Sequence, residues 1–217
     1  GLARAARFPL LASGPTGLYL NYADSGQWAR RRTLPTLFYL ARRYDDNAAA
    51  MAEHEALRRH RADPRHVIWY LPRPARAEPL PLDVRLRGPV GVALMRSAWS
   101  DRHALFVGVK AGYNRVAHGH LDLGNFELDA LGERWARDLG SEDYNLPGYW
   151  SGGRQGSRRW SYYRLGSRSH NVPLLNGENQ SVDGKAEIVA FASNADGAHA
   201  VVDFSGAYPK AQSARRG

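Results

Sequence analysis

The sequence predicts an α+β chain in which a helical region precedes an antiparallel β-sandwich. Apolar residues recur at helical spacing before residue 75, a proline-rich stretch follows, and short alternating segments fill the remainder. Many short strands with no helices between them are typical of two packed antiparallel sheets. We therefore predict two regions, a helical region over residues 1–75 and a β-sandwich over residues 76–217.

The helical region contains an apolar stripe that a period of 3.6 residues places on one helix face. Its members are Leu34, Leu37, Phe38 and Ala41. A second helix is predicted from Asn47 to Arg59, with Asp46 or Asn47 as its N-cap, because short polar side chains accept hydrogen bonds from the first backbone amides. A short third helix is predicted after Asp63-Pro64, since proline is tolerated at a first helical position.

The stretch from Pro72 to Pro81 contains four prolines and few large apolar residues. Proline fixes its own φ angle and lacks a backbone N–H, so it interrupts helices and strands alike. The stretch is therefore predicted to be a linker.

After the linker, six segments have strand length and contain β-favouring residues. They are Val90–Arg96, Ala104–Val109, Asn125–Leu128, Trp160–Leu165, Ala186–Phe191 and Ala198–Phe204. Turns that contain Gly and Asp, such as Asp129-Ala130-Leu131-Gly132 and Val182-Asp183-Gly184, separate some of them. This spacing of short strands predicts a β-sandwich. No internal repeat is found in the sequence.

The formal net charge is +9, and only three of the thirty basic residues are lysines. Arginine binds carboxylate, sulfate and phosphate through two parallel hydrogen bonds, so the composition suits a polyanionic partner. An arginine-rich composition without a polyanionic partner explains the charge equally well. The absence of cysteine excludes disulfides and thiolate metal sites.

The chain is predicted to be a fragment of a multidomain protein. It begins with Gly1, contains only Met51 and Met95 as methionines, and ends in a polar tail. No apolar run approaches the ~20 residues that a membrane-spanning helix needs, so no membrane span is predicted.

His118-Gly119-His120 is the segment with the clearest chemical signal. In a strand, alternate side chains share a face, so both imidazoles would be presented together. Imidazole and carboxylate donors suit zinc, and Asp138 and His170 lie downstream. Two packed or solvent-facing histidines in a glycine-rich loop are the alternative.

Several segments around these histidines occur in the same order as in a known family. They are 118–126 (HGHLDLGNF), 132–140 (GERWARDLG), 144–149 (YNLPGY), 162–164 (YYR), 169–171 (SHN) and 176–177 (NG). Together they resemble the β-domain of the heparinase II/III-like polysaccharide lyases. The helical lead-in, including Asn21 to Ser25, resembles the last turns of the α/α toroid of that family.

The resemblance implies a zinc site formed by His120, Asp138 and His170. It also implies that His118 and Tyr149 act at the substrate. The residues expected to bind the substrate beside them are Tyr144, Trp150, Tyr163 and Arg164.

Two segments depart from the family pattern and leave local substrate contacts open. The usual Gly-Ser-Phe is Gly124-Asn125-Phe126, and the usual Gly-His-Asn-Thr is Ser169-His170-Asn171-Val172.

The reaction implied by the resemblance is β-elimination from an acidic, uronate-containing glycan such as alginate or a heparin-like glycosaminoglycan. In the family, the principal tyrosine base and its Asn and His partners come from the toroid. We therefore expect this chain alone to have little or no lyase activity. The resemblance also implies a periplasmic or secreted location.

Three other functional classes are alternatives. A non-catalytic carbohydrate-binding β-sandwich would use the same fold without elimination. Binding of nucleic acid would use the basic charge, but no nucleic-acid motif is found, and no such partner is predicted. A glycoside hydrolase normally needs paired carboxylates across the scissile bond, whereas the conspicuous residues here are His and Tyr.

Overall fold

A computed structural model describes residues 5–217 of the chain. The α-helices are α1 (Phe8–Leu11), α2 (Thr36–Tyr44), α3 (Asn47–Leu57) and α4 (Arg65–Trp69). The strands are β1 (Val84–Leu86), β2 (Val92–Arg96), β3 (Phe106–Lys110), β4 (Gly112–Tyr113), β5 (Phe126–Ala130), β6 (Glu133–Ala136), β7 (Lys185–Asn194), β8 (Gly197–Asp203) and β9 (Arg215–Arg216). Within residues 5–217, no helix is both long and apolar enough to cross a bilayer.

The strands form two antiparallel sheets, as predicted for the second region. One sheet has the order β1-β2-β3-β5-β6 and the other the order β4-β7-β8-β9. Their facing side chains form one buried cluster, which includes Ala93 and Val109 from the first sheet and Ile188 and Val202 from the second. The predicted β-sandwich is therefore present.

The five-stranded sheet is covered on its other face by the chain that precedes α2. Val92, Leu94 and Phe106 form a second buried cluster with Leu11 and Leu20. Strand β2 is therefore buried along almost its whole length, which explains why its apolar residues run continuously instead of alternating. This covering segment continues directly into the functional site.

The predicted helices are confirmed. Helix α2 buries Leu37, Phe38 and Ala41, three of the four residues of the predicted stripe, whereas Leu34 lies just before the helix and is only partly buried. Helix α3 is capped by Asp46, whose carboxylate accepts a hydrogen bond from the amide of Ala49 at 3.2 Å. Helix α4 follows Pro64, and the Pro72–Pro81 stretch contains neither helix nor strand.

The predicted strand Trp160–Leu165 is wrong. A 3₁₀ turn occupies Arg158–Ser161, and the amides of Leu165 and Gly166 both bond to the carbonyl of Tyr162. The buried guanidinium of Arg159 fixes this conformation, because it donates to the carbonyls of Tyr149 and Gly119, each at 2.9 Å. Tertiary contacts therefore override the β preference of the aromatic residues.

A buried network of ion pairs holds the chain that precedes α2 against the β6 edge of the five-stranded sheet. Arg134 on β6 pairs with Glu127 at 2.6 Å and with Asp129, and it donates to the carbonyl of Tyr19 at 3.0 Å. Both carboxylates are fully buried. Glu127 also accepts the backbone amides of Asn21 at 2.8 Å and of Asp138 at 3.1 Å. One carboxylate thus fixes the backbone before Asp24 and at Asp138.

Candidate functional site

His118 and His120 lie in a loop, so the predicted strand placement of this pair is wrong. The amide of Gly119 bonds to the carbonyl of Val116 at 3.0 Å, and a Cβ at Gly119 would lie 2.5 Å from the carbonyl oxygen of Asn114. His118 itself has a φ of +59°, in the left-handed region. This tight turn replaces the alternation of a strand, yet it still brings both imidazoles to one point.

That point is the carboxylate of Asp24. His118 Nδ1 lies 2.7 Å from Asp24 Oδ2, and His120 Nε2 lies 3.0 Å from Asp24 Oδ1. The hydroxyl of Tyr149 donates to Oδ1 at 2.5 Å, and Arg159 Nη2 is 3.6 Å from the same oxygen. The Asp24 side chain is only 5% exposed. Four cationic or hydrogen-bonding side chains therefore converge on one buried carboxylate.

The close approach of the Asp24 segment requires a glycine on the neighbouring strand extension. Gly140 has a φ of +69°, and a Cβ there would lie 1.9 Å from the carbonyl oxygen of Ser25. The amide of Gly140 donates to Asp138 Oδ1 at 2.8 Å. The same glycine therefore admits the chain next to Asp24 and satisfies one oxygen of Asp138.

Asp24 is ionised. Burial alone would raise the pKa of its carboxyl group, but hydrogen bonds from His120, Tyr149 and His118 hold the pKa well below its usual range. An ionised carboxylate only accepts hydrogen bonds, so the contacting nitrogens of both imidazoles carry the protons. In their neutral forms, His118 then has its lone pair on Nε2 and His120 has its lone pair on Nδ1.

His120, Asp138 and His170 form a buried group that could hold a metal ion. One donor atom from each residue lies within 4.8 Å of the other two. His170 Nδ1 is 2.5 Å from Asp138 Oδ2, which also accepts from the side-chain amide of Asn125 at 2.7 Å. The resemblance implied these three residues, and the structure brings them together.

The free atoms of this group fit a cation. His120 Nδ1 and His170 Nε2 are both buried and have no hydrogen-bond partner among the described residues. Burial lowers the pKa of His120, which favours the neutral imidazole that binds metals. Two imidazole nitrogens and a carboxylate are a donor set that Zn²⁺ accepts. The residues present therefore fit zinc.

An aromatic cluster lies beside His118. Tyr144, Tyr149 and Trp150 have ring centroids 4.8–4.9 Å from one another, and His118 packs edge-on against Trp150 at 5.4 Å. Trp150 is 60% exposed and Tyr144 is 43% exposed, whereas Tyr149 is fully buried. The cluster thus has an open face formed by Tyr144 and Trp150.

The buried position of Tyr149 limits its chemistry. Burial, together with its hydrogen bond to Asp24, raises the pKa of the Tyr149 hydroxyl. The hydroxyl therefore stays protonated and donates to Asp24, and its raised pKa makes it a poor proton donor to any other group.

A groove of about 360 Å³ runs beside the exposed half of this cluster. Its walls include Arg115, His118, Trp150, Arg159 and Trp160. The His118 side chain is 50% exposed, and that of Arg115 is 59% exposed. The groove therefore offers an aromatic face, an imidazole and positive charge to a ligand.

Tyr163 and Arg164, also predicted to bind substrate, lie outside this cluster. Tyr163 is 56% exposed and does not stack with the aromatic rings described above. Arg164 donates to the carbonyls of Leu139 at 3.0 Å and Ser141 at 3.3 Å, so part of its guanidinium holds the loop that follows Asp138.

Asp24 and Arg159 were not identified as site residues from the sequence. Asp24 lies in the Asn21–Ser25 segment that carries the family resemblance, but it is 94 residues from His118. A single Asp in a coil gives no spacing signal that links it to a distant histidine. Arg159 belongs to no motif in an arginine-rich chain, and it stands out only because it is buried.

Comparison with known families gives one match. The sequence profile of the family described as "Heparinase II/III-like, C-terminal" matches residues 88–214, which is more than half of the chain. The match covers the metal group, the aromatic cluster and the sandwich except for its strands β1 and β9. Comparison with curated proteins gave no match.

Solved structures with the same fold include three lyase structures. A mutant of the heparan sulfate lyase HepC from Pedobacter heparinus has a TM-score of 0.66 at 19% identity, over 92% of this chain and 27% of that one. A heparinase III structure has a TM-score of 0.66 at 14% identity, over 94% and 30%. The heparinase III named as the BT4657 gene product has a TM-score of 0.59 at 16% identity, over 89% and 26%. The chain thus spans less than a third of each.

Proposed function

Because the chain belongs to the heparinase II/III-like family, whose C-terminal profile it matches, we propose that it is part of a polysaccharide lyase. The substrate class is an acidic, uronate-containing glycan such as a heparin-like glycosaminoglycan or alginate. The single observation that carries the proposal is the groove lined by the half-exposed His118, the exposed Trp150 and Arg115. The helices α1–α4 are proposed to be the end of a larger helical domain, and the location is proposed to be periplasmic or secreted.

β-Elimination has three chemical requirements. The C5 proton is weakly acidic, so positive charge or hydrogen-bond donors must neutralise the adjacent carboxylate. A base removes the proton, and an acid protonates the departing glycosidic oxygen. Arg115, whose side chain is 59% exposed, is the proposed source of positive charge in the groove, whereas the Arg159 guanidinium is buried against the carbonyls of Tyr149 and Gly119. A positively charged groove also concentrates an anionic chain near the site.

His118 is the proposed proton carrier of this part of the site. Its Nδ1 is held by Asp24 at 2.7 Å, and its ring is half exposed in the groove wall, so Nε2 is the nitrogen left for the substrate. A buried carboxylate that fixes the tautomer and orientation of an imidazole is a recurring arrangement in acid–base catalysis. Tyr149, expected from the resemblance to act at the substrate, is fully buried, and its proposed role is indirect: its hydroxyl holds Asp24, which in turn holds His118.

His120, Asp138 and His170 would hold the proposed zinc ion. When bound there, zinc supplies a positive charge and fixed ligand directions that shape the loop carrying His118. Of the residues proposed to contact the substrate, Tyr144 and Trp150 pack against His118. Tyr163 and Arg164 are also proposed to contact the substrate, but they lie outside this aromatic cluster.

We expect Trp150→Ala to weaken acidic-glycan binding by the chain about 2- to 10-fold, because the exposed indole face would be lost. Trp135→Ala is the matched control. Trp135 is 64% exposed and lies on β6, outside the groove, so its removal should leave affinity unchanged. Calorimetric titration with heparan sulfate and alginate oligosaccharides, and with a neutral glucan, measures both effects. Equal losses in the two variants would contradict this assignment of the groove.

We expect the chain itself to release little unsaturated uronate from the same glycans. A longer protein that contains this chain should release it readily, as measured by the ultraviolet absorbance of the unsaturated product. Glycan binding without elimination by such a protein would instead support a non-catalytic carbohydrate-binding module. Elimination products from a uronate glycan, but not from the neutral glucan, would support the lyase.

A further inference from the structure

We propose that the Asp24 carboxylate couples the metal group to the groove, by orienting His120 toward the metal ion and His118 toward the ligand together. That the groove binds the substrate rests on the proposed function. The coupling itself concerns only metal binding and the orientation of two imidazoles, so it can be tested without measuring β-elimination. Asp24 is here a positioning residue that acts through the two histidines.

The first support is the division of the two carboxylate oxygens. Oδ2 receives His118 Nδ1 at 2.7 Å, and Oδ1 receives His120 Nε2 at 3.0 Å. Each histidine therefore has its own oxygen on one rigid, planar group. A displacement of Asp24 toward one ring necessarily changes its contact with the other ring.

The second support is the position of the ring nitrogen of each histidine that does not contact Asp24. His120 Nδ1 is buried without a hydrogen-bond partner among the described residues, and its ring belongs to the group with Asp138 and His170. His118 Nε2 belongs to a ring that is half exposed in the groove wall. Because Asp24 only accepts hydrogen bonds, it selects the tautomer of each ring that leaves a lone pair on the outward nitrogen. An outer carboxylate that fixes a ligating histidine is a common means of tuning metal affinity.

The third support is that Asp24 belongs to a different part of the chain from both histidines. The amide of Asn21 is held by Glu127, and the carbonyl of Asp138 accepts from the Asn21 side chain at 3.1 Å. The hydroxyl of Tyr149 fills the remaining acceptor position on Oδ1. Asp24 is therefore placed by its own scaffold and imposes its position on the loop of His118 and His120.

The coupling follows from the shared acceptor. An imidazole that binds a cation becomes a stronger N–H donor, so His120 would attract Asp24 more strongly once loaded. The hydrogen bond from His118 to Asp24 would then weaken. The environment of the His118 ring nitrogens would therefore change when a metal ion binds, although His118 does not contact that ion. Thermodynamic linkage requires the reverse effect as well, so a change at His118 must alter metal affinity.

Asp24→Asn in the 217-residue chain tests the proposal, with Asp46→Asn as the matched control. Both carboxylates have 5% exposure, and Asp46 accepts hydrogen bonds from Arg7 at 2.7 Å and from the amide of Ala49 at 3.2 Å, away from the histidines. Competition with a chelator should show zinc affinity about 10- to 100-fold lower for Asp24→Asn. It should be unchanged for Asp46→Asn. Equal affinities in the two variants would overturn the proposal.

A double-mutant cycle separates coupling from a merely structural role. His118→Ala should tighten zinc binding, because Asp24 would then serve His120 alone. The effect should differ by at least about 5-fold between the wild-type and Asp24→Asn backgrounds. Additive effects would overturn the coupling.

The ¹⁵N resonances of the His118 ring provide a readout that needs no substitution at Asp24. They should shift when the wild-type chain takes up zinc, and a shift confined to His120 and His170 would sink the idea. This measurement decides the matter even if Asp24→Asn does not fold. A wild-type chain that binds no zinc overturns the coupling and the metal site together. Failure to cleave glycan affects only the proposed function.

Discussion

Replacing His120 by Ala is expected to abolish stoichiometric zinc binding by the chain. The substitution removes one of the two buried imidazole nitrogens that have no other partner. The loss should exceed the about 10- to 100-fold decrease in affinity that follows removal of an outer partner of a ligand. Elemental analysis after dialysis against a defined free zinc concentration measures the loss directly.

The same substitution should remove the stabilisation that zinc gives the folded chain. For the wild type, free zinc at 100 times the dissociation constant is expected to add about 2.7 kcal/mol to the free energy of unfolding. Asp138→Ala and His170→Ala should behave like His120→Ala, since each removes a member of the group. Thermal unfolding with and without zinc measures this difference.

His199→Ala is the control for the zinc experiments. His199 is an exposed histidine on β8, away from the metal group. Its removal should leave zinc content and the zinc-dependent increase in unfolding temperature as in the wild type. Unchanged zinc content in His120→Ala would refute the assignment, whatever the stability of the variant.

Much of the fold was predictable because its signals are local. Asp46 caps α3 through a hydrogen bond to a residue three positions away, and the stripe of α2 is readable from spacing alone. Strands β2, β3, β5, β7 and β8 were found because they are long and rich in β-favouring residues. Strands β1, β4, β6 and β9 were missed, since each has only two to four residues and is defined by its neighbour.

The site was predictable only where a motif extends along the chain. Resemblance identified His120, Asp138 and His170, which the fold brings together from three loops. It could not identify Asp24, because the contact depends on how the segment before α2 folds over the sheet edge. The prediction that His118-Gly119-His120 lies in a strand was wrong for a similar reason. Its conformation is set by a turn, closed by the hydrogen bond from Gly119 to Val116, and by the contact with Asp24.

Replacing Arg134 by Met is expected to lower the free energy of unfolding by about 3–5 kcal/mol, because it leaves two buried carboxylates without their cation. Glu127 and Asp129 are both fully buried, and the Arg134 side chain is 1% exposed. Methionine retains much of the aliphatic volume, so the loss would reflect charge and not packing. Urea unfolding monitored by circular dichroism measures it.

Arg215→Met is the matched control, because Arg215 pairs with Asp203 at 2.8 Å on the surface. The Arg215 side chain is 63% exposed, and exposed pairs are typically worth no more than about 1 kcal/mol. A similar loss of stability in both variants would show that the buried ion pairs of Arg134 contribute no more to the free energy of unfolding than an exposed ion pair.

If the loss of stability in Arg134→Met is caused by charge, a further result is expected. If the cost arises from uncompensated carboxylates, Glu127→Gln with Asp129→Asn should restore part of the stability of Arg134→Met. Glu127 also holds the amides of Asn21 and Asp138, so zinc affinity should fall in Arg134→Met and recover incompletely in the triple variant. A triple variant no more stable than Arg134→Met would instead assign the role of Arg134 to its bonds with the carbonyls of Leu18 and Tyr19, which bind the covering segment to β6.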